Sequence, residues 1–206
     1  NVGGGAEPQQ APEAGGSLLA ASPSPPPPPG MTSQGDVTER MRERQRRSPT
    51  TWALSMRQWL EVLTHIKGTE LYGSLREKQS GYVSMYDVNE HFVKTWTRDT
   101  GCGLSVLMTP DSSGRSQEAT LMLSHAWAED MEQLKFAVER SLEQRGLHER
   151  LEEILVWFCV FANYQPGDDA GPTIQEQLQL MPFKRVIESA AVRSGQGMCT
   201  VHTSKA

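Results

Sequence analysis

The apolar run at residues 154–162 (ILVWFCVFA) constrains the fold more than any other stretch of the chain. A strand with one face in solvent alternates apolar and polar residues, whereas a strand covered by helices on both faces is apolar throughout. Because adjacent strand positions point to opposite faces, we expect Trp157 and Phe158 to pack under different helices. The run therefore predicts a central strand of a parallel α/β sheet.

Two shorter segments, 120–124 (TLMLS) and 198–202 (MCTVH), predict further strands before and after this run. Helical spacing of apolar residues separates the three strands, with acidic residues at 129–130 where the first helix begins and Gly146 near its end. The order strand, helix, strand, helix, strand is typical of one half of a doubly wound, three-layer sheet. The apolar helical positions are Met131, Leu134, Val138, Leu142, Ile174, Leu178, Phe183, Val186, Ile187 and Ala190.

Residues 51–108 predict a helical region that precedes this α/β half-domain. Ser84 and Asp87 have the spacing of a capping box, which predicts a helix that begins there. Residues 104–108 predict a short strand, and residues 109–118, rich in Ser and Gly, predict a flexible linker. The helical positions on one apolar face are Trp52, Met56, Trp59, Leu60, Leu63 and Ile66, and, on a second helix, Met85, Val88, Phe92 and Trp96.

The composition of residues 1–50 predicts a disordered tail, because so few of its residues can be buried. Its proline run at 25–29 favours an extended polyproline II segment, which serves either as a spacer or as a ligand for an SH3- or WW-type groove. The arginines that follow are either a solvated lead-in or a surface for nucleic acid, lipid or acidic protein. Those arginines are Arg40, Arg42, Arg44, Arg46 and Arg47.

Charge and cysteine content exclude several classes of protein. The net charge of −5 is too small to indicate a nucleic-acid partner for the whole chain. Three widely spaced cysteines without a C-x-x-C pair argue against a disulfide framework or a zinc site. No apolar run approaches the roughly 18 residues of a membrane span, and no secretory signal is visible. We therefore expect an intracellular, cytoplasmic protein without a membrane span.

Three motifs carry a resemblance to a known family. The segment LMLSHAWAED at 121–130, the loop NYQPGDDAGP at 163–172 and the segment MCTVHT at 198–203 lie in the order of a first strand, a second loop and a third strand. In this respect the chain resembles a TIR (Toll/interleukin-1 receptor) domain, and in particular the TIR-like proteins of unicellular eukaryotes with "SHAW" or "SHSW" after the first strand. The resemblance covers residues 119–206 and extends loosely to 81–108.

The resemblance implies a flavodoxin/TIR-like half-domain whose fold is incomplete at the C-terminus. It also implies a signalling role through protein–protein interaction, including self-association of the α/β domain. The alternative is a TIR-type enzyme that cleaves NAD. In such enzymes the catalytic glutamate follows the third strand, so it would lie beyond Ala206 and the activity would be complete only in a longer chain. We therefore expect no catalytic residue and no bound cofactor in this chain.

The candidate binding residues lie in the loops at the carboxyl ends of the predicted strands, where ligands bind in open α/β sheets. Ser124 and His125 are adjacent on a strand, so they point apart and are poorly placed as nucleophile and base. The alternative for His125 and Trp127 is packing of the loop, and for Asp168 and Asp169 it is turn formation. The full set is Ser124, His125, Trp127, Glu129, Asp130, Asn163, Gln165, Asp168 and Asp169.

Overall fold

A four-stranded sheet organises the computed structural model, which describes residues 24–109 and 117–202. Its strands are β1 (Leu54–Ser55), β2 (Leu121–Ser124), β3 (Leu155–Phe158) and β4 (Gly197–Thr200), in the spatial order β1-β3-β2-β4. β2 lies parallel to both β3 and β4, with Met122 opposite Trp157 on one side and Met198 on the other. The short β1 runs antiparallel to β3 and covers its outer edge.

Helices connect the strands and cover them. In the described residues these are α1 (Glu39–Arg47), α2 (Met56–Lys67), α3 (Glu70–Lys78), α4 (Met85–Val88), α5 (Lys94–Thr97), α6 (Leu104–Met108), α7 (Met131–Gln144), α8 (Cys159–Ala162), α9 (Ile174–Gln179), α10 (Pro182–Glu188) and α11 (Ala190–Ser194). A π-helical turn (Asn89–Val93) joins α4 to α5, and 3₁₀ turns lie at Gln34–Asp36 and Pro49–Thr51.

The two faces of β3 pack under different helices, as the apolar run predicts. The ring of Trp157 lies against Phe183 of α10, with ring centroids 5.0 Å apart. The next residue, Phe158, lies edge-on to Trp59 of α2, with centroids 5.6 Å apart. Both β3 side chains are fully buried. The prediction of a mixed α/β fold with a mainly parallel sheet is therefore confirmed.

The helical region covers the sheet and shares its core. Ser55 begins α2 with a capping box that includes Gln58, and the backbone N–H of Met56 donates to the carbonyl of Ile154 just before β3. From there Trp59 and Leu63 turn inward, fully buried, into the same apolar cluster as β2 and β3. The helix predicted from Ser84 and Asp87 is also present, and both hydrogen bonds of its capping box form.

Residues 24–50 are ordered, so the prediction of a disordered tail is wrong for this part. Thr38 caps α1 by accepting from the N–H of Met41, and three α1 side chains are buried. Two of them are polar, which is why average composition misleads here. The guanidinium of Arg44 donates to the carbonyl of Thr109 at 2.8 Å. Gln45 is fully buried, and both ends of its side-chain amide form hydrogen bonds. The prediction for residues 1–23 lies outside the described residues.

Two short apolar segments have the wrong predicted structure. Residues 104–108 form α6 rather than a strand, and residues 159–162 turn into α8 rather than extending β3. Both are buried on all sides, so the spacing of apolar residues cannot separate a strand from a helical turn. The two helices pack together, and a Cβ on Gly103 would collide with the carbonyl oxygen of Ala162. Of the predicted linker, residues 110–116 lie outside the described residues.

None of the helices in residues 24–109 and 117–202 combines the length and the apolar character that crossing a membrane requires.

Candidate functional site

His125 lies at the carboxyl end of β2, inside the loop that the sequence singles out. Its ring is tilted against Phe158 with centroids 4.6 Å apart, and its Nε2 lies 3.5 Å from the Sγ of Cys159. The other ring nitrogen, Nδ1, lies 2.9 Å from the carbonyl oxygen of Ala126. Sequence reasoning missed the His125–Cys159 contact because it placed Cys159 within a strand. The signal was available, since both residues directly follow neighbouring parallel strands.

The His125–Cys159 pair is neutral. Burial lowers the pKa of His125, although its hydrogen bond to the Ala126 carbonyl partly opposes this. Burial also raises the pKa of the Cys159 thiol to about 12. Because a cysteine attacks as the thiolate and is activated by a lowered pKa, these two shifts work against nucleophilic chemistry. The pair is therefore a packing contact at the strand ends.

Asp130 has a structural role. Its Oδ1 accepts from the N–H groups of Glu132 and Gln133 at 3.1 and 3.0 Å, which caps α7. Its Oδ2 accepts from the N–H of Val83 at 3.1 Å and so joins the helical region to the loop after β2. The preceding Glu129 is buried, and its carbonyl accepts from the N–H of Met85. Glu129 and Asp130 are both buried, so neither carboxylate is accessible to a partner protein.

The loop at 163–172 is held by its own polar side chains. Asp168 accepts from the N–H groups of Asp99 and Ala170 at 2.9 and 3.0 Å and from the hydroxyl of Tyr164. These bonds lower the pKa of Asp168 against the opposing effect of desolvation. The Asn163 and Gln165 amides both donate to the carbonyl of Cys159. Of the two readings of Asp168, the contacts match turn formation.

The second loop does not join His125 and Trp127 in one site. Asp169 is exposed and lines a separate cavity of about 370 Å³ with Arg46, Gly171 and Glu176. Ser124 ends β2, and its carbonyl accepts from the N–H of Val201 on the β4 side. The nine predicted residues therefore do not form one site. Most of them form hydrogen bonds within the fold, Asp169 lines its own cavity, and Trp127 lies elsewhere with His125 beside it.

Trp127 faces an open groove between its loop and the helical region. Its ring is tilted against Tyr86 with centroids 5.4 Å apart and against His125 at 6.0 Å. Tyr86 is 60% exposed. The groove has a volume of about 510 Å³, and its remaining lining residues are polar: Asp87, Asn89, Glu90, His91 and Lys94. An accessible aromatic pair with a polar rim is thus present at the carboxyl end of β2.

The π-helical turn supplies the floor of this groove. Asn89 begins the turn and is only 8% exposed, and its Oδ1 has no hydrogen-bond partner among the described residues. A buried acceptor without a partner costs free energy, on the order of 1–3 kcal/mol. π-turns occur frequently at functional sites, where they displace a side chain from regular helical spacing. Sequence reasoning missed Asn89, because nothing in the spacing of residues 85–96 predicts the extra residue in the turn.

A second accessible surface lies on α9, α10 and the turn between them. Five apolar side chains there are 40–53% exposed: Ile174, Leu178, Met181, Phe183 and Ile187. Ile174 and Leu178 share one side of α9, and Phe183 and Ile187 share one side of α10, each pair at a spacing of four residues. We call these five residues the α9–α10 apolar face. Four of the five, all but Met181, were predicted as apolar helix positions, a pattern that does not separate buried from exposed side chains.

No group of three or more His, Cys, Asp or Glu side chains in the described part of the chain is arranged to hold a metal ion. The three cysteines, Cys102, Cys159 and Cys199, are free thiols. Comparison of the chain with protein-family models, with curated proteins and with solved structures gives no match.

Proposed function

We propose that the chain is an intracellular protein-interaction module with a TIR-like α/β domain, and that its copies associate with each other through the α9–α10 apolar face. The observation that carries the proposal is the exposure of that face. A folded monomer rarely leaves several large apolar side chains exposed on consecutive elements unless they form an interaction surface. Leu178 and Met181, at 48% and 53% exposed, have the most accessible surface to bury.

The order of the parallel strands supports the TIR-like part of the proposal. Counted along the chain, the first parallel strand (β2) lies between the second (β3) and the third (β4). Flavodoxin-like doubly wound sheets begin with this same order. The three free thiols agree with a reducing, intracellular compartment.

The polar contacts at the strand ends support interaction rather than catalysis. The buried His125–Cys159 pair is neutral, and Asp130 and Asp168 are engaged in backbone hydrogen bonds. The accessible groups are instead apolar or aromatic, the residue types enriched in the centres of protein interfaces. Burying the α9–α10 apolar face on association therefore gains more free energy than burying the polar strand-end residues would.

Sedimentation velocity of the full chain over a hundredfold range of concentration tests the proposal. We expect the mean sedimentation coefficient to rise with concentration, and we expect Leu178→Glu combined with Ile187→Glu to abolish that rise. The matched control is Phe136→Glu, since Phe136 is 64% exposed on α7, away from the α9–α10 apolar face. A chain that stays monomeric throughout, or whose association is lost equally in the control, would contradict self-association by this face.

A second candidate function, action on NAD or a related nucleotide in a longer chain, is favoured by the groove at Trp127. Its volume of about 510 Å³ and the Tyr86–Trp127 pair suit a planar ring, which stacks on aromatic side chains. Titration of the chain with NAD, followed by tryptophan fluorescence, tests it. Saturable quenching that Trp127→Phe removes would favour this candidate, and an unchanged spectrum at millimolar NAD would argue against it.

A further inference from the structure

The proline-rich segment at 24–29 packs on the helical region of its own chain. Pro25 and Pro28 are buried, whereas the three other prolines of the run are exposed. The indole Nε1–H of Trp96 on α5 donates to the carbonyl of Pro25 at 3.0 Å. The Nε2 of His65 on α2 lies 2.9 Å from the carbonyl of Pro26, which it reaches as a donor when that nitrogen carries the proton.

The two side chains that bond to the proline segment are neighbouring aromatic rings, and the fully buried Phe92 packs behind one of them. The rings of His65 and Trp96 are 5.9 Å apart, and Phe92 lies 5.7 Å from Trp96. Prolines lack an N–H group, and an extended proline-rich chain makes no internal hydrogen bonds, so its carbonyls are free to accept. Domains that recognise proline-rich peptides use this same combination of an aromatic groove and side-chain donors.

The contacts at this groove do not depend on the identity of the segment it holds. Both hydrogen bonds go to backbone carbonyls, which any extended proline-rich chain presents at the same spacing. The buried groups are proline rings, which such a chain also supplies. The groove is therefore specific for a class of ligand rather than for residues 24–29 themselves.

The groove continues beyond the segment that occupies it. Pro28 and Pro29 border a cavity of about 560 Å³, whose other walls combine apolar and charged side chains: Leu60, Met108 and Leu151, and Arg57, Glu61, Lys135 and Glu139. The chain turns away at Gly30, which has a φ of +81°, and then bonds to the carbonyl of Leu107 through the N–H of Thr32. A longer proline run that stayed extended past Pro29 would start beside this cavity, whereas the chain's own segment bends at Gly30.

We propose that the groove between α2 and α5 is a binding site for a proline-rich segment of a partner protein, and that residues 24–29 fill it in the absence of that partner. The resident segment competes as an intramolecular ligand, at an effective concentration in the millimolar range for a short connection. A partner with a longer proline run displaces it because such a ligand keeps the contacts at Trp96 and His65 and adds those of the cavity.

Fluorescence anisotropy with labelled decaproline tests the proposal on the full chain. In a released variant, Pro25→Ser with Pro28→Ser removes the two buried rings and leaves the groove unchanged. We expect the released variant to bind decaproline about tenfold more tightly than the parent chain, because the competitor is weakened. Adding Trp96→Phe to the released variant removes one hydrogen-bond donor and should weaken binding about fivefold. A glycine–serine peptide of equal length is the ligand control.

Three results would overturn the proposal. The first is no saturable binding of decaproline to a released variant whose circular dichroism matches the parent. The second is equal binding with and without Trp96→Phe. The third is equal affinity for decaproline and for a peptide of residues 24–30, which would mean that the cavity contributes nothing and that copies of this chain exchange their segments.

A measurement on the unmodified chain keeps the proposal testable should the released variant fail to fold. Titration with decaproline, followed by the ¹H–¹⁵N resonances of the five indole groups, reports on Trp96 directly. We expect the resonance that is missing in the Trp96→Phe variant to shift with saturation, while that of the fully buried Trp59 stays in place. An unshifted Trp96 resonance at millimolar peptide would contradict the site.

Discussion

The helices on the two faces of the sheet differ in how much apolar surface they leave exposed. On one face, α2 turns Trp59, Val62, Leu63 and Ile66 inward until none of these side chains is accessible. On the other face, α10 buries Val186 but leaves Phe183 and Ile187 about 40% exposed. Both layers cover the same strand, and Phe183 itself packs against Trp157, so the difference lies in how completely the surrounding elements cover each helix.

The two layers also differ in the elements that cover them. The α2 face is closed by α3, by α7 and by the proline-rich segment at 24–29, whose Pro26 carbonyl lies 2.9 Å from the Nε2 of His65. The α10 face is covered in part by the 3₁₀ turn Pro49–Thr51, which packs against α10, and by Gln45 of α1, which donates to Gln177 of α9, but the α9–α10 apolar face stays 40–53% exposed. An apolar surface without cover favours association, which is why the proposed self-association uses that side.

The largest expected effect is the loss of stability when one aromatic side chain is removed from each of the two helix layers. Trp59→Ala should lower the free energy of unfolding by about 3–5 kcal/mol, because it opens a cavity in a fully buried site. Phe183→Ala, whose ring is 41% exposed, should cost only about 1–2 kcal/mol. Urea denaturation of both variants measures the difference. Equal costs would mean that the two layers contribute equally and that the comparison fails.

A smaller effect tests whether α1, whose Gln45 joins the turn after β3 to α9, contributes to the folded core. Gln45 donates to the carbonyl of Ala162 and the amide oxygen of Gln177, at 3.1 and 3.0 Å, and accepts from the N–H of Gly103. Gln45→Ala removes the hydrogen bonds to the Gly103 N–H and the Ala162 carbonyl, while the Gln177 oxygen keeps the N–H of Tyr164, and it should cost about 1–3 kcal/mol.

The control for Gln45 is Arg47→Ala on the same helix, since Arg47 is exposed and its ion pair with Glu43 lies at the surface. We expect it to change the free energy of unfolding by less than about 0.5 kcal/mol. Equal effects of the two substitutions would argue that α1 contributes little to the fold.

The strand-end contact predicts a dependence of stability on pH. Burial lowers the pKa of His125, so below about pH 6.5 the unfolded chain binds a proton that the folded chain resists. The free energy of unfolding should therefore fall as the pH falls below that value, by at most about 1.4 kcal/mol per pH unit for this group. His125→Phe keeps a ring against Phe158 and should remove that part of the slope. An unchanged slope would place the titration elsewhere.

The smallest expected effect concerns the α9–α10 apolar face itself. Ile187→Ser should lower the free energy of unfolding of the monomer by only about 1 kcal/mol, because the side chain is 40% exposed and loses only part of a full apolar burial. Thermal denaturation at the lowest practicable concentration measures it. A loss of several kcal/mol would show that the face is part of the folded monomer and not a surface for a second copy.

Much of the sheet could be predicted from the sequence, because the three parallel strands are short apolar runs separated by amphipathic helices. The uniform run that contains Trp157 and Phe158 indicated burial on both faces, and both rings lie under separate helices. The antiparallel β1 was missed, since a strand of only Leu54–Ser55 has no periodicity of its own. It pairs with β3 through contacts distant in the sequence.

The errors in predicting α1 and in predicting α6 and α8 have two different physical causes. Polar residues in α1 are buried because specific partners exist for them in the fold: Arg44 reaches Thr109, and Gln45 reaches Gln177. Composition counts such residues as exposed. In α6 and α8 the uniform apolar character removed the signal that distinguishes a strand from a helical turn.

The candidate site was only partly accessible from sequence. The position of Trp127 after a parallel strand indicated an accessible loop, and its ring lines the groove beside Tyr86. The partner Tyr86 and the buried Asn89 lie on a helix about forty residues earlier, brought there by the fold. Asp130 and Asp168 show the opposite case, since their carboxylates belong to a cap and a turn.

Hydrogen–deuterium exchange of the full chain at low and high concentration tests the central claim most directly. We expect amides at residues 174–188 to exchange more slowly as the concentration rises, while those of α7 at Met131–Gln144 keep the same rate. Slowing confined to α7 or the Trp127 groove, or no dependence on concentration anywhere, would contradict self-association through the α9–α10 apolar face.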